Sequence, residues 1–252
     1  MPRYTLLVLL VQSILVACDR PTLVTTVESV AGLVVFDGLD SLVVIKADKF
    51  RGGARGAVSI TYDAPFGTHT DHHLSTDAVV KRQMRMDVEM VSWIFEKPAL
   101  SHWIDIYKEE LIPRGIRFFG HGHTHALHDT MDFDAAYNSF STNYSLMETW
   151  GLAPKVYAYP GSSGERLSTQ SANRAAGFIG ARGSTVEFEE FFIAPFEEAE
   201  PDNWFFLPAV VMGNASFRYI DVHEKLVPIL DETVERRAWL ILMYDVPRNW
   251  DS

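Results

Sequence analysis

Four of the nine histidines in this chain fall within eight residues, in the segment 120–129 with the sequence GHGHTHALHD. The segment follows residues 116–119 (IRFF), an apolar and aromatic run that favours a β-strand. Glycines at positions 120 and 122 let the backbone turn tightly and approach a ligand. Neutral imidazole is a common ligand for zinc and similar ions. We therefore predict that this loop binds a metal or takes part in catalysis.

The spacing of the histidines suggests how they converge. His121 and His125 are four residues apart, and so are His125 and Asp129. Residues four apart lie on the same side of a helix. Either pair would therefore face one ligand if the loop turned into a helix.

Composition limits the classes of fold and partner. The chain has 252 residues, which fits one large domain or two small ones, and its 47% hydrophobic content supports a sizeable core. The formal net charge of −11 argues against a nucleic-acid partner, because phosphate binding needs clustered Lys and Arg.

The N-terminus predicts export. Residues 4–17 are apolar except for Gln12 and Ser13, and the run has the length of a signal-peptide core. It ends in LVAC, which resembles the bacterial lipobox, and Cys18 is the one cysteine in the sequence. We predict a lipoprotein signal peptide over residues 1–17 and a lipidated Cys18. Asp19 favours retention at the inner membrane facing the periplasm, with secretion as the alternative.

Strand patterns begin before the histidine loop. Apolar runs at 33–36 and 42–45 flank an Asp-Gly turn at 37–38 and predict a hairpin or a barrel lid within an N-terminal extension and linker, residues 19–56. Residues 57–62 (AVSITY) form a β-branched strand that ends at Asp63. A carboxylate at the tip of a core strand is a typical catalytic placement in α/β barrels.

Short strands then alternate with helices. Residues 84–95 have the apolar spacing of an amphipathic helix. Further helices are predicted at about 103–113, 133–150, 165–176 and 222–236, and strands at 116–119, 155–159, 178–181, 205–207 and 239–244. This order predicts an α/β protein with a parallel sheet or barrel over residues 57–252. The last strand ends eight residues before the terminus, so a C-terminally truncated barrel is also an expectation.

Three segments in the right order resemble the polysaccharide deacetylase family, the NodB-homology domain of carbohydrate esterase family 4. The first family motif is a strand ending Thr-Phe-Asp-Asp-Gly, and residues 61–65 read TYDAP. The second is His-(Ser/Thr/Gly)-x-(Ser/Thr)-His, and residues 121–125 read HGHTH. The third is an aromatic-Pro strand end, and residues 157–161 read YAYPG. The resemblance implies a distorted (β/α)7 barrel that removes acetyl groups from N-acetylated or O-acetylated glycans.

The resemblance also implies roles for particular residues. His121 and His125 correspond to metal ligands, most simply for zinc, and Asp63 to a general base that takes a proton from a metal-bound water. Attack of that water on the amide carbonyl forms an oxyanion, which the backbone N–H of Gly161 is placed to stabilise. The implied substrate is a chitin-like or peptidoglycan-like glycan, reached from a lipid anchor in the membrane.

The chain departs from the family pattern at three positions. Ala64 replaces the usual third metal ligand, and Ala158 replaces the arginine that orients the base. The last strand of the family ends in a histidine that serves as the general acid, and Tyr244 or Asp245 stands at that position here. Apart from Asp63 itself, the candidates for the third ligand are His69, Asp71, His72, His123, His128 and Asp129.

Two other hypotheses stay open. The first is a degenerate domain that binds glycan without turning it over, which the three departures favour. The second is a metal-free amidohydrolase of the same fold that acts on a small C–N substrate.

Overall fold

The computed structural model describes residues 54–63, 76–185, 187–193, 201–212 and 226–245, together with residue 50 and the backbone of three short strands before it. Of the predicted signal peptide, only the backbone of Leu6–Leu7 is described, and Cys18 lies outside the described residues. So do Ala64 and three of the candidate ligands, His69, Asp71 and His72. Among the described residues, no helix is long and apolar enough to cross a membrane.

The described strands form two sheets. In chain order they are β1 (Leu6–Leu7), β2 (Val34–Phe36), β3 (Leu42–Val44), β4 (Ala57–Asp63), β5 (Asp87–Met90), β6 (Arg117–Gly120), β7 (Val156–Ala158), β8 (Gly180–Arg182), β9 (Val210–Met212) and β10 (Trp239–Asp245). Strand β2 pairs antiparallel with β1 and with β3, so the two apolar runs of the predicted hairpin lie side by side. The other seven form one sheet in the order β8-β7-β6-β5-β4-β10-β9.

The seven-stranded sheet curls into a barrel. Every neighbouring pair of its strands is parallel. Parallel bridges from Arg182 to Leu207 and from Thr185 to Val210 join its two edges. This is the distorted (β/α)7 barrel that the resemblance predicted. The strand predicted at 205–207 is reduced to the bridge at Leu207, and the regular strand forms at Val210–Met212 instead.

Helices cover the outside of the barrel. They are α1 (Trp103–Ile106), α2 (Phe133–Thr149), α3 (Leu167–Ala175) and α4 (Val227–Glu235), with α1 continuing through a π-helical turn at Tyr107–Leu111. Asp132 caps α2 by accepting a hydrogen bond from the Ala135 amide at 2.8 Å. Ala136, Phe140, Asn143 and Met147 form the buried stripe of α2. The predicted helix at 133–150 is therefore confirmed nearly to the residue.

The predicted helix at 84–95 is wrong. Residues Asp87–Met90 form β5, between β4 and β6, and a 3-10 turn follows at Ser92–Glu96. The helix prediction counted Met86 and Met90, which are four apart. It overlooked that residues 86–90 (MDVEM) alternate strictly between apolar and polar side chains, which is the pattern of a strand.

Alternation divides the strands into two faces. Tyr62, Val88 and Phe118 point outward into an apolar layer shared with α1 and its continuation. Tyr157 and Ala181 do the same in the layer beneath α2 and α3. Residues one position away on each strand therefore face the barrel interior. Polar residues of β4, β5 and β8, namely Thr61, Glu89 and Arg182, lie at these interior positions.

Asp87, at the start of β5, gives the fold a pH dependence that can be tested. Burial raises the pKa of Asp87 from 3.8 to about 6, although the charge of Arg117 opposes the shift. Between these two values the native state binds a proton that the unfolded chain releases, so the free energy of unfolding falls as the pH rises through that window.

Asp87→Asn removes the buried charge. We expect it to raise the free energy of unfolding at pH 7 by up to about 3 kcal/mol. At pH 3 and below the wild-type carboxyl is largely neutral in both states, so the gain should disappear. Urea denaturation at pH 7 and pH 3 measures both values. A gain in the free energy of unfolding of equal size at the two pH values would contradict the raised pKa of Asp87.

Candidate metal centre

Three side chains predicted from the sequence converge at the carboxyl end of the barrel strands. Asp63 is the last residue of β4, and His121 directly follows β6. One potential ligand atom each from Asp63, His121 and His125 lies within 4.8 Å of the other two. Catalytic groups of α/β barrels occupy this end of the barrel, because the loops that follow the strands meet there.

His121 is 1% exposed, and its protonation is determined by its neighbours. Its Nδ1 lies 2.9 Å from the carbonyl oxygen of Ala158. A carbonyl only accepts hydrogen bonds, so we assign the ring proton to Nδ1. Nε2 then carries the lone pair, and it lies 3.3 Å from Oδ1 of Asp63. Among the described residues, Nε2 has no hydrogen-bond partner.

The contact between His121 and Asp63 fits a cation, because it brings two acceptor atoms together. A lone pair and a carboxylate oxygen repel each other when both are buried without a donor between them. Burial lowers the pKa of His121, although the charge of Glu89 opposes this, so a proton is not favoured there. Zinc binds imidazole nitrogen and carboxylate oxygen at about 2.0–2.2 Å, which separates two ligands of a tetrahedral site by about 3.4 Å. The donor atoms and their spacing fit a divalent ion.

His125 reaches the cluster through an unusual backbone conformation. Its φ is 58°, in the left-handed region that costs most residues about 1–2 kcal/mol. The ring centroids of His121 and His125 are 4.8 Å apart. The residues between them are not helical. The predicted convergence is therefore confirmed, but it does not arise from helical spacing. Burial also lowers the pKa of His125, which leaves its imidazole neutral and able to bind a metal.

Asn143 of α2 holds the backbone of the histidine loop in place. The Asn143 side-chain amide donates to the carbonyl of Gly122 at 2.9 Å and to that of Met90 at 3.3 Å. At Gly120, a Cβ atom would lie 2.6 Å from the Asn143 side chain and 2.7 Å from the ring of Phe178. Only glycine therefore fits where the strand turns into the loop.

Two other histidines of the loop do not join the cluster. His123 Nδ1 lies 3.1 Å from the Ser92 hydroxyl, and its Nε2 lies 3.6 Å from Glu96. His128 Nε2 lies 3.0 Å from the Ser139 hydroxyl, and its ring stacks on Phe140. Burial lowers the pKa of His128 to about 4. Both were candidates for the third ligand, and in the structure both contact other residues instead.

Asp129, a further candidate ligand, binds backbone instead. Its carboxylate accepts from the amides of Glu165 at 2.9 Å and Arg166 at 3.2 Å, just before α3. Its own amide donates to the Ser163 hydroxyl at 2.8 Å. Asp129 thus ties the histidine loop to the loop that follows β7.

Gly161 lies beside the histidine loop, as its predicted role requires. It forms part of the 3-10 turn Pro160–Ser162 that follows β7, with a φ of 55°. A Cβ atom there would lie 2.9 Å from the Leu127 side chain. Its role as an oxyanion donor stays a prediction.

The two candidates for the missing acid lie at the end of β10. Tyr244 pairs in register with Tyr62, and both pack against the apolar layer outside the barrel. The structure therefore turns Tyr244 away from the cluster. Asp245 pairs in register with Asp63, so its position on the backbone lies at the same edge of the barrel.

Two charged residues that the sequence pattern did not predict lie beside His121. Glu89 of β5 and Arg182 of β8 form a buried ion pair inside the barrel. Glu89 Oε2 lies 3.4 Å from His121 Nδ1. Arg182 is the register partner of Ala158, where the family has its arginine. The wrong helix at 84–95 hid Glu89, whereas the polar positions of the MDVEM alternation would have placed it inside a barrel.

No protein-family model and no curated protein matches the sequence. Solved structures match the fold. Agd3, described as a novel carbohydrate deacetylase, has a TM-score of 0.55 at 10% identity and covers 79% of this chain and 47% of its own. The 4-alpha-glucanotransferase from Thermococcus litoralis has a TM-score of 0.50 at 11% identity, and the match covers 78% of this chain and 34% of the glucanotransferase. The family 4 carbohydrate esterase from Streptomyces lividans has a TM-score of 0.46 at 12% identity, and the match covers 75% of this chain and 92% of the esterase.

At these identities the comparisons concern the fold alone. This chain spans about half of Agd3 and about a third of the glucanotransferase. A deacetylase and a glucanotransferase share the barrel, so the fold alone does not determine which reaction is catalysed. The reaction has to be inferred from the residues of the site. The barrel that the resemblance predicted is thereby confirmed as a fold shared with Agd3 and with the glucanotransferase, at low sequence identity.

Proposed function

We propose that this chain is a metal-dependent hydrolase that removes acetyl groups from an N-acetylated or O-acetylated glycan. One observation carries the proposal: the bare Nε2 of buried His121 faces Asp63 Oδ1 at 3.3 Å, at the carboxyl end of a deacetylase-like barrel. The name of Agd3, a carbohydrate deacetylase, supports the class of substrate.

In this proposal Asp63, His121 and His125 hold the ion. Three protein ligands with a fourth position open are typical of catalytic zinc, whereas structural zinc usually has four protein ligands. When bound, such an ion polarises an acyl carbonyl and lowers the pKa of a water molecule to near neutrality. The Ala158 carbonyl keeps the proton of His121 on Nδ1, and Asn143 keeps the loop backbone in place.

Asp63 has two possible roles, as ligand and as general base. We assign it first as the third ligand, because its Oδ1 lies 3.3 Å from the bare nitrogen of His121. Proton transfer to the leaving group then needs another residue, and Asp245 occupies the register position beside Asp63. The amide of Gly161 is the proposed oxyanion donor.

We also propose, from the N-terminal sequence, that Cys18 carries a lipid anchor and that the barrel faces the periplasm. The chain would then act on a cell-envelope glycan. Labelled palmitate should enter the wild-type protein and not Cys18→Ser. Equal labelling of both would refute the anchor.

The ligand set predicts a defined pattern of metal binding. The purified protein should bind one zinc ion per chain, and His121→Ala, His125→Ala and Asp63→Ala should each weaken binding by about 100-fold or more, because each removes one of three ligands. Calorimetry against a competing chelator measures the dissociation constants.

His123→Ala is the matched control, since it lies in the same loop but contacts Ser92 and Glu96. Its zinc affinity should equal that of the wild type. Undiminished zinc binding by His121→Ala would rule out this site.

The proposed activity predicts acetate release that depends on the metal. Zinc-loaded protein should release acetate from chitin oligomers or peptidoglycan, chelation should stop the release, and added zinc should restore it. Acetate release that survives chelation would instead support a metal-free amidohydrolase. Retention of glycan by the zinc-loaded protein, with no acetate released, would support a domain that only binds glycan.

A further inference from the structure

Two buried charges lie inside the barrel next to the metal cluster. On β5, Val88 and Met90 point outward into the apolar layer, so Glu89 between them points inward. On β8, Ala181 points outward and Arg182 inward. The side chains of Glu89 and Arg182 are 0% and 3% exposed, and they pair through Glu89 Oε1 and Arg182 Nη2.

This pair contacts His121 on the side opposite Asp63. Glu89 Oε2 lies 3.4 Å from Nδ1, whereas Asp63 Oδ1 lies 3.3 Å from Nε2. The Nδ1 proton therefore faces two acceptors, the Ala158 carbonyl at 2.9 Å and the Glu89 carboxylate. Among the described residues, Glu89 Oε2 has no hydrogen bond that would draw it elsewhere.

Arg182 keeps Glu89 in this position. Its Nη2 binds Glu89, and its Nη1 donates to the carbonyl of Gly183 at 3.2 Å. Ala158, the register partner of Arg182, has no side chain long enough to compete for the space. The guanidinium thus reaches from β8 to β5 across the barrel interior.

We infer that Glu89, held by Arg182, is a positioning residue for His121. A metal-binding histidine usually donates its other ring N–H to a carboxylate or carbonyl, which fixes the ring and makes the binding nitrogen a stronger ligand. Glu89 supplies that negative charge behind the ring, where burial keeps it from being screened. The inference rests on the proposed metal centre, which it deepens by adding the group that supports one ligand.

Glu89→Gln tests the charge at nearly constant size. We expect its zinc dissociation constant to rise about 10–100-fold, the usual effect of losing such a partner. The visible spectrum of the cobalt(II)-substituted protein should also change, because the field at His121 Nε2 changes. Glu96→Gln is the matched control: Glu96 also lies beside a histidine, His123, but outside the cluster. Its zinc affinity and cobalt spectrum should match those of the wild type.

A double variant separates positioning from folding. Glu89→Met with Arg182→Met removes both charges and keeps the buried volume, and buried ion pairs replaced in this way generally still fold. We expect a thermal midpoint near that of the wild type and the same 10–100-fold loss of zinc affinity.

Either variant that folds and binds zinc within twofold of the wild type would overturn the inference. Loss of folding in both would assign the pair to fold stability and would also overturn it. Failure of the wild type itself to bind zinc would instead refute the proposed metal centre.

Discussion

The approach of His121 Nε2 to Asp63 Oδ1, at 3.3 Å, is the interaction on which the rest of the site depends. Two buried acceptor atoms this close are stabilised by a cation between them. The Ala158 carbonyl accepts a hydrogen bond from Nδ1–H, which leaves Nε2 without a proton, and Asn143 holds the loop backbone. The proposed metal centre thus depends on the unprotonated Nε2 of His121 as much as on the presence of Asp63 and His125.

The barrel makes this arrangement possible because its strands separate two kinds of side chain. Outward positions such as Val88, Tyr157 and Ala181 supply the apolar layers beneath the helices. Inward positions are free to carry charge, and Glu89 and Arg182 use them to place an ion pair behind His121. Parallel strands end together, so Asp63 and the histidine loop meet at one edge although β5 lies between their strands.

Much of this could be predicted from the sequence, since the signals were local. The strand ending at Asp63, the histidine loop and the cap at Asp132 each depend on a few adjacent residues. Glu89 and Arg182 are 93 positions apart, and nothing local indicates that they pair. The left-handed backbone of His125 was equally hidden, because a histidine gives little sign that it will adopt that conformation. The third ligand could be narrowed down only when the partners of His123, His128 and Asp129 were known.

The most direct test of the central claim is a crystal structure of the zinc-loaded protein with anomalous data collected at the zinc edge. The account predicts one strong peak bonded to Asp63 Oδ1, His121 Nε2 and a ring nitrogen of His125, with no fourth ligand from the protein. A zinc peak elsewhere, for example between His123 and Glu96, or no peak near His121, would contradict it.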